Sequence, residues 1–201
     1  MTATVLMADM PSFRNSSAGF TLIEILVTLV IIAVGLLGLG AFQARTQQAE
    51  LESYNRAQAL IILDAMVNRI NANRQTAPCY VITTSAGTPY LGYADAGHVG
   101  SVSCTGFGNA STQEWAVDDL NQWDQMLKGA SEAVAGTATG GAFGARGCIS
   151  FDAATSTYTI GVAWQGMNET VAPAVACGNG AYGLETLRRV IWTTFKPATL
   201  L

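Results

Sequence analysis

The sequence predicts an α+β fold: one long N-terminal helix, about residues 20–74, packed by its second half on a small C-terminal antiparallel β-sheet. Three observations carry this expectation. Residues 20–74 contain no proline, and Glu, Gln, Ala, Leu and Arg, all good helix formers, dominate 43–74. Residues 157–165 alternate with the period of two that marks a strand. Between these stretches the chain is rich in Gly, Ser, Thr and Pro, the residues of turns.

The helix has two halves. Phe20 to Phe42, FTLIEILVTLVIIAVGLLGLGAF, holds one charge, Glu24. At 1.5 Å per residue such a run spans about 34 Å, enough to cross a bilayer core of about 30 Å. It is too long for the apolar region of a secretory signal peptide. A carboxylate at the centre of such a span costs about 2.5–3.5 kcal/mol, and less near an end, so Glu24 is a candidate functional residue with a partner to be named. Gly35, Gly38 and Gly40 lie in the same run. They suit close helix packing. Residues 43–74 are amphipathic. Leu60, Leu63, Val67 and Ile70, with Ile62 and Met66 beside them, step by three and four and define one face. Asn71-Ala72-Asn73 and then Pro78 predict a helix end near Arg74.

Residues 75–147 are loop-rich, apart from a short helix over Thr112–Leu127 with Trp115, Leu120, Trp123 and Leu127 on one face and acidic first turns. Gly136–Gly147 is a flexible connection. It lacks the Gly-Lys-Ser/Thr ending of a nucleotide loop. Cys148–Phe151, Thr157–Gln165 and Leu187–Phe195 read as three strands of a meander, the middle one half-buried. The meander's apolar face is the natural cover for the helix stripe.

Cys79, Cys104, Cys148 and Cys177 are widely spaced, with no Cys-x-x-Cys pair and a single histidine, His98, so no metal site is expected. An even count suits two disulfides in an oxidising compartment; four buried thiols are the alternative. Of the three connectivities, Cys79–Cys104 with Cys148–Cys177 closes short local loops. From residue 75 onward five basic residues (Lys128, Arg146, Arg188, Arg189, Lys196) face nine acidic ones. No nucleic-acid partner is expected of such a domain, and Arg188-Arg189 read as a solvated edge. Asp118, Asp119 and Asp124 read as a solvated helix face, and no cluster of acid, base and nucleophile appears. Neither an enzyme activity nor a cofactor is expected.

The stretch Ala18-Gly19-Phe20-Thr21-Leu22-Ile23-Glu24, followed by the apolar run, resembles the processing site of type IV prepilins and type II secretion pseudopilins. The resemblance implies removal of residues 1–19 as a leader. The cut by prepilin peptidase falls between Gly19 and Phe20, and Phe20 is N-methylated. Glu24 becomes the fifth residue of the mature chain, placed to meet the new Phe20 amine of its own or a neighbouring subunit. The glycines of the apolar run would, on the same likeness, let it melt or bend during filament packing. A long helix on a small sheet resembles the pilin fold. The Gly-Leu-Leu-Gly-Leu segment, the helix end Met66-Val67-Asn68-Arg69-Ile70-Asn71-Ala72-Asn73-Arg74, the Trp-bearing mid-chain helix and the Tyr-Thr-x-x-Val-x-Trp strand are similar to the PilV family of minor pilins. Residues 138–146 depart from that family's Leu-Pro-Gly-Gly loop.

The implied organisation is a leader (1–19), an apolar transmembrane or filament-core half-helix (20–42), an amphipathic half-helix (43–74) and a globular head (75–201). Within the head, loops and the short helix occupy 75–147 and the meander 148–201. The implied partners are prepilin peptidase, other minor and major pilins, and the inner-membrane assembly platform. The implied location is the bacterial inner membrane, single-pass with the head periplasmic, and then the pilus at the cell surface. The implied role is initiation and assembly of the fibre, near its tip. A type II secretion pseudopilin, or an adhesin or DNA-uptake subunit shown on the filament, stands as the alternative.

Overall fold

A computed structural model describes residues 19–130, 133–134, 137–138 and 140–198. All of the expected 1–19 leader except Gly19, and part of the glycine-rich connection, lie outside the described residues. The fold is α+β: helix α1 (Leu22–Ala72), a two-residue strand β1 (Leu91–Gly92), helix α2 (Ala110–Leu127), a small hairpin of β2 (Ala133–Val134) and β3 (Thr137–Ala138), then β4 (Arg146–Asp152), β5 (Thr157–Gln165) and β6 (Arg188–Phe195). The main sheet is antiparallel, in the order β1-β4-β5-β6. Chain contacts divide the molecule into two units, residues 1–45 and 46–201.

In the first unit every described residue is exposed, and the helix passes through it without a break. The second unit has a closed core. From α1 it takes Ala59, Ile62, Leu63, Met66 and Ile70. The stripe is therefore rotated from the expected one: Leu60 is exposed, while Ile62 and Met66 lie at its centre. Helix α1 stops at Ala72, and a 3₁₀ segment, Arg74–Tyr80, carries Pro78. Proline is compatible there because non-helical angles at Thr76 break the segment and Pro78 lies in the first turn after the break, where its missing N–H would have no partner in the helix.

Both ends of α2 are chemically defined. Asn109 and Thr112 form a reciprocal capping box: Thr112 N–H donates to Asn109 Oδ1 at 3.0 Å, and Asn109 N–H donates to Thr112 Oγ1 at 2.9 Å. The expected acidic first turn is absent; the cap supplies the electronegative partner instead. At the other end Gly129 N–H donates to Met126 O and Ala130 N–H to Gln125 O, a Schellman closure that places Gly129 at φ +72°. A Cβ there would also lie 1.6 Å from Gly140 O. Trp115 does not join the buried face and is 59% exposed; Ala116 occupies that position. Trp123 is fully buried, and its indole N–H donates to Ile62 O on α1 at 2.9 Å. Its ring fits because the facing strand residue is Gly147, where a Cβ would come within 2.3 Å of it.

The β5 strand is not half-buried. Tyr158, Ile160, Val162 and Trp164 face the helices, while Gly161 and Ala163 on the other face are covered by Cys148, Cys177 and Tyr182. The chain between β5 and β6 crosses that second face. Disulfide Cys148–Cys177 holds it there, and Cys79–Cys104 closes the loop before α2.

Candidate functional site

The predicted site residues divide between the N-terminal segment and the head, and the structure treats the two groups differently. Gly19 and Phe20 lie outside the helix, and both are exposed. Helix α1 begins just after Thr21, whose side-chain oxygen accepts the Glu24 N–H at 3.3 Å and whose carbonyl accepts from Glu24 and Ile25 at 3.1 and 3.3 Å. Thr21 is thus the N-cap, and Glu24 is the third residue of the helix. This Thr-x-x-Glu spacing is that of a capping box. Sequence reasoning weighed Glu24 and passed over Thr21, although the spacing was there to be read.

The consequences are chemical. The Gly19–Phe20 peptide is non-helical and solvent-exposed, the form in which a backbone can enter a peptidase. A cut there would free an amine directly before the N-cap. The Glu24 carboxylate sits where the helix dipole favours negative charge. Among the described residues it has no ion-pair partner. A Cβ at Gly19 would meet nothing within 4 Å, and the same holds at Gly35, Gly38 and Gly40. The chain's own packing therefore does not require these glycines, although each costs about 1 kcal/mol of helix propensity relative to Ala inside α1.

Residues 14–40 match the model of the prokaryotic N-terminal methylation motif. The matched stretch contains Gly19, Phe20, Thr21 and Glu24, and it marks the chain as a type IV pilin-like prepilin at its N-terminus. No curated protein and no solved structure matches the chain. The motif implies processing by prepilin peptidase and assembly with other pilins, and it belongs to structural subunits. It agrees with an α1 that is long and apolar enough to cross a membrane.

In the head, burial and ion pairing overturn the reading of Arg188-Arg189 as a solvated edge. Arg188 is 2% exposed: it pairs with Glu185 and donates to the carbonyls of Pro173, Val175 and Cys177. It stitches the crossing chain to the sheet beside the disulfide. Arg189 reaches Glu52 on α1 at 3.1 Å. Arg146, 4% exposed, lies against the rings of Tyr90, Tyr93 and Tyr182 and pairs with Asp95. Burial opposes its charge, but the Asp95 carboxylate and Tyr182 hold its pKa above the ordinary arginine value.

The acidic residues of α2 also divide. Asp118 is exposed. Asp119 accepts from Arg69 at 2.8 Å and from Tyr80 at 2.6 Å. Burial and that bond push the Tyr80 hydroxyl pKa up. Asp124 is buried and accepts from His98 at 2.9 Å, Lys128 at 2.5 Å and the Gly92 N–H at 2.8 Å. Burial works against its charge, yet the bonds from Lys128, His98 and Gly92 hold its pKa below the usual carboxylate value. The single histidine is therefore part of a satisfied structural cluster. Among the described residues no group of three or more His, Cys, Asp and Glu could hold a metal ion.

Proposed function

We propose that this chain is a minor pilin of a type IV pilus, of the PilV kind. In this reading prepilin peptidase cuts between Gly19 and Phe20, Phe20 is N-methylated, and the apolar half-helix then enters a fibre through Phe20 and Glu24. The observation that carries it is the N-terminal arrangement: an exposed Gly19–Phe20 bond immediately before a helix capped by Thr21, with Glu24 in its first turn and a run of apolar residues behind. In a low-dielectric fibre core the pairing of the new amine with Glu24 fixes register between helices more than it adds stability, because desolvation offsets much of the attraction.

The likeness of the helix end and of the β5 sequence to the PilV family supports the minor-pilin role, in which the subunit helps start the fibre near its tip. Before assembly it rests in the inner membrane. The two disulfides support a periplasmic head. Its partners there are the peptidase, the assembly platform and the other pilins.

Immunoblots of Gly19→Val cells should show only the unshortened chain, and normal shortening would end the cleavage assignment. Glu24→Ala should be shortened normally yet be depleted from sheared fibres; wild-type amounts there would contradict the pairing. A deletion strain that keeps its surface pili and loses protein secretion would move the chain to the pseudopilins, whose N-terminal motif is the same.

A further inference from the structure

Asn179-Gly180 is the one place in the sequence where glycine follows asparagine. That pairing carries its own chemistry. A backbone nitrogen unhindered by a side chain can attack the carboxamide of the asparagine before it. The structure puts the pair on the surface of the connection between β5 and β6. Both residues are exposed, and nothing lies within 4 Å of where a Gly180 Cβ would sit. They form the centre of a turn in which Ala181 N–H donates to Gly178 O at 3.2 Å. Gly180 takes φ +76°, as glycine does at the third position of a type II turn.

The turn is held from both sides. Before it, Cys177 is bonded to Cys148, and Gly178 N–H donates to Gly87 O at 3.2 Å. After it, Glu185 reaches back. Its Oε1 accepts the Gly180 N–H at 2.7 Å, while its Oε2 accepts from Arg188 Nε at 2.7 Å and lies 2.5 Å from Arg188 Nη2. Arg188 is itself fixed by the carbonyls of Pro173, Val175 and Cys177. An amide donating to a carboxylate is among the stronger hydrogen bonds. Burial works against the Glu185 charge, but the bonds from Arg188 and from the Gly180 N–H hold its pKa below the usual carboxylate value. A carboxylate so stabilised is a poor base. It keeps the Gly180 proton on nitrogen rather than removing it, and it fixes the plane of the Asn179–Gly180 peptide.

We propose that Asn179 is a self-modification site, converted to aspartate or isoaspartate with loss of ammonia, and that Glu185 is the lock that delays the conversion. In the reaction the Gly180 nitrogen gives its proton to water or hydroxide and bonds to Asn179 Cγ. The Cγ–Nδ2 bond breaks, and the nitrogen leaves as ammonia with a proton from solvent. Water then opens the five-membered imide at either carbonyl. One opening gives aspartate. The other gives isoaspartate, which adds a methylene carbon to the backbone two residues after Cys177. Nothing is oxidised or reduced. The proposal does not depend on the filament reading.

The test uses the purified full-length chain aged at neutral pH with its disulfides intact. Product at residue 179 is read by peptide mass and by labelling with an isoaspartyl methyltransferase. Folded wild type should react at least about tenfold more slowly than the same chain reduced and unfolded in urea. Glu185→Ala, folded, should recover most of that difference. Glu185→Asp keeps a charge for Arg188 but withdraws from Gly180; it should react faster than folded wild type while the head keeps its protease resistance. Equal rates for folded and unfolded wild type would overturn the lock. So would either variant reacting as slowly as folded wild type. Absence of product at residue 179 even in the unfolded chain would overturn the site.

Discussion

The two units obey opposite rules. From Gly19 to Arg45 every residue is exposed, though most are apolar, and none of the four glycines there has a neighbour that a side chain would strike. From Thr46 onward apolar residues are buried, charged residues such as Arg146, Arg188 and Asp124 are paired inside, and glycines such as Gly129 and Gly147 face atoms that leave no room for a Cβ. In the head, a residue is explained by what it touches in its own chain. In the first unit the contacts are those of the helix with itself, such as the Thr21 cap, and burial explains none of its described residues.

This contrast can be broken in several ways. The largest effect is expected at Trp123. Trp123→Ala opens a cavity between α1, α2 and Gly147 and should cost the head about 3–5 kcal/mol. Leader removal should proceed as before, read by denaturant unfolding and an immunoblot of the same cells. Next comes the disulfide that holds the crossing chain. Replacing Cys148 and Cys177 together by Ser should cost about 3.5 kcal/mol for a loop of 29 residues. The loss should be visible as early protease cleavage between β5 and β6. A head as resistant as wild type would show that Arg188 alone suffices.

A smaller effect belongs to pH. Asp124 has a depressed pKa in the folded head, so its contribution is present above the ordinary carboxylate pKa, about 3.9. It is lost as pH falls through the lower folded value. The head should therefore lose stability below about pH 4, and Asp124→Asn should flatten that acid limb of the melting profile. Gly35→Ala should have the smallest effect on the head, with no change in its unfolding midpoint. A shift in that midpoint would show that the units are coupled, contrary to the contrast drawn above.

Much of the fold was legible in the chain. The uninterrupted 20–74 composition, the alternation over 157–165 and the Asn-Ala-Asn then Pro ending foretold α1, β5 and the helix stop within a few residues. The motif around Gly19 was legible because it is local. Errors arose where burial overrode local pattern. Leu60 and Trp115 continued a periodic stripe that the packing did not use. Arg188 and Asp124 looked solvated because the carbonyls of residues 173–177 and the Gly92 N–H have no side-chain signature and His98 is remote in sequence; the Lys128 pair at i+4 was readable but is equally at home on a solvated face. The second face of the sheet escaped notice because a loop, not a regular element, covers it.

The sequence by itself determined the N-terminal motif around Gly19 and Phe20, the capping of α1 by Thr21 with Glu24 three residues on, and the length of the apolar half-helix. These are properties of adjacent residues, and nothing elsewhere in the chain needs to fold for them to exist. Only the tertiary structure decided which face of α1 is buried, which charges are paired inside the head, and that residues 140–145 form a held loop rather than a slack connection. Most of these depend on groups far apart in the chain meeting in the fold, by apolar packing for α1 and by hydrogen bonds for the charges and the loop.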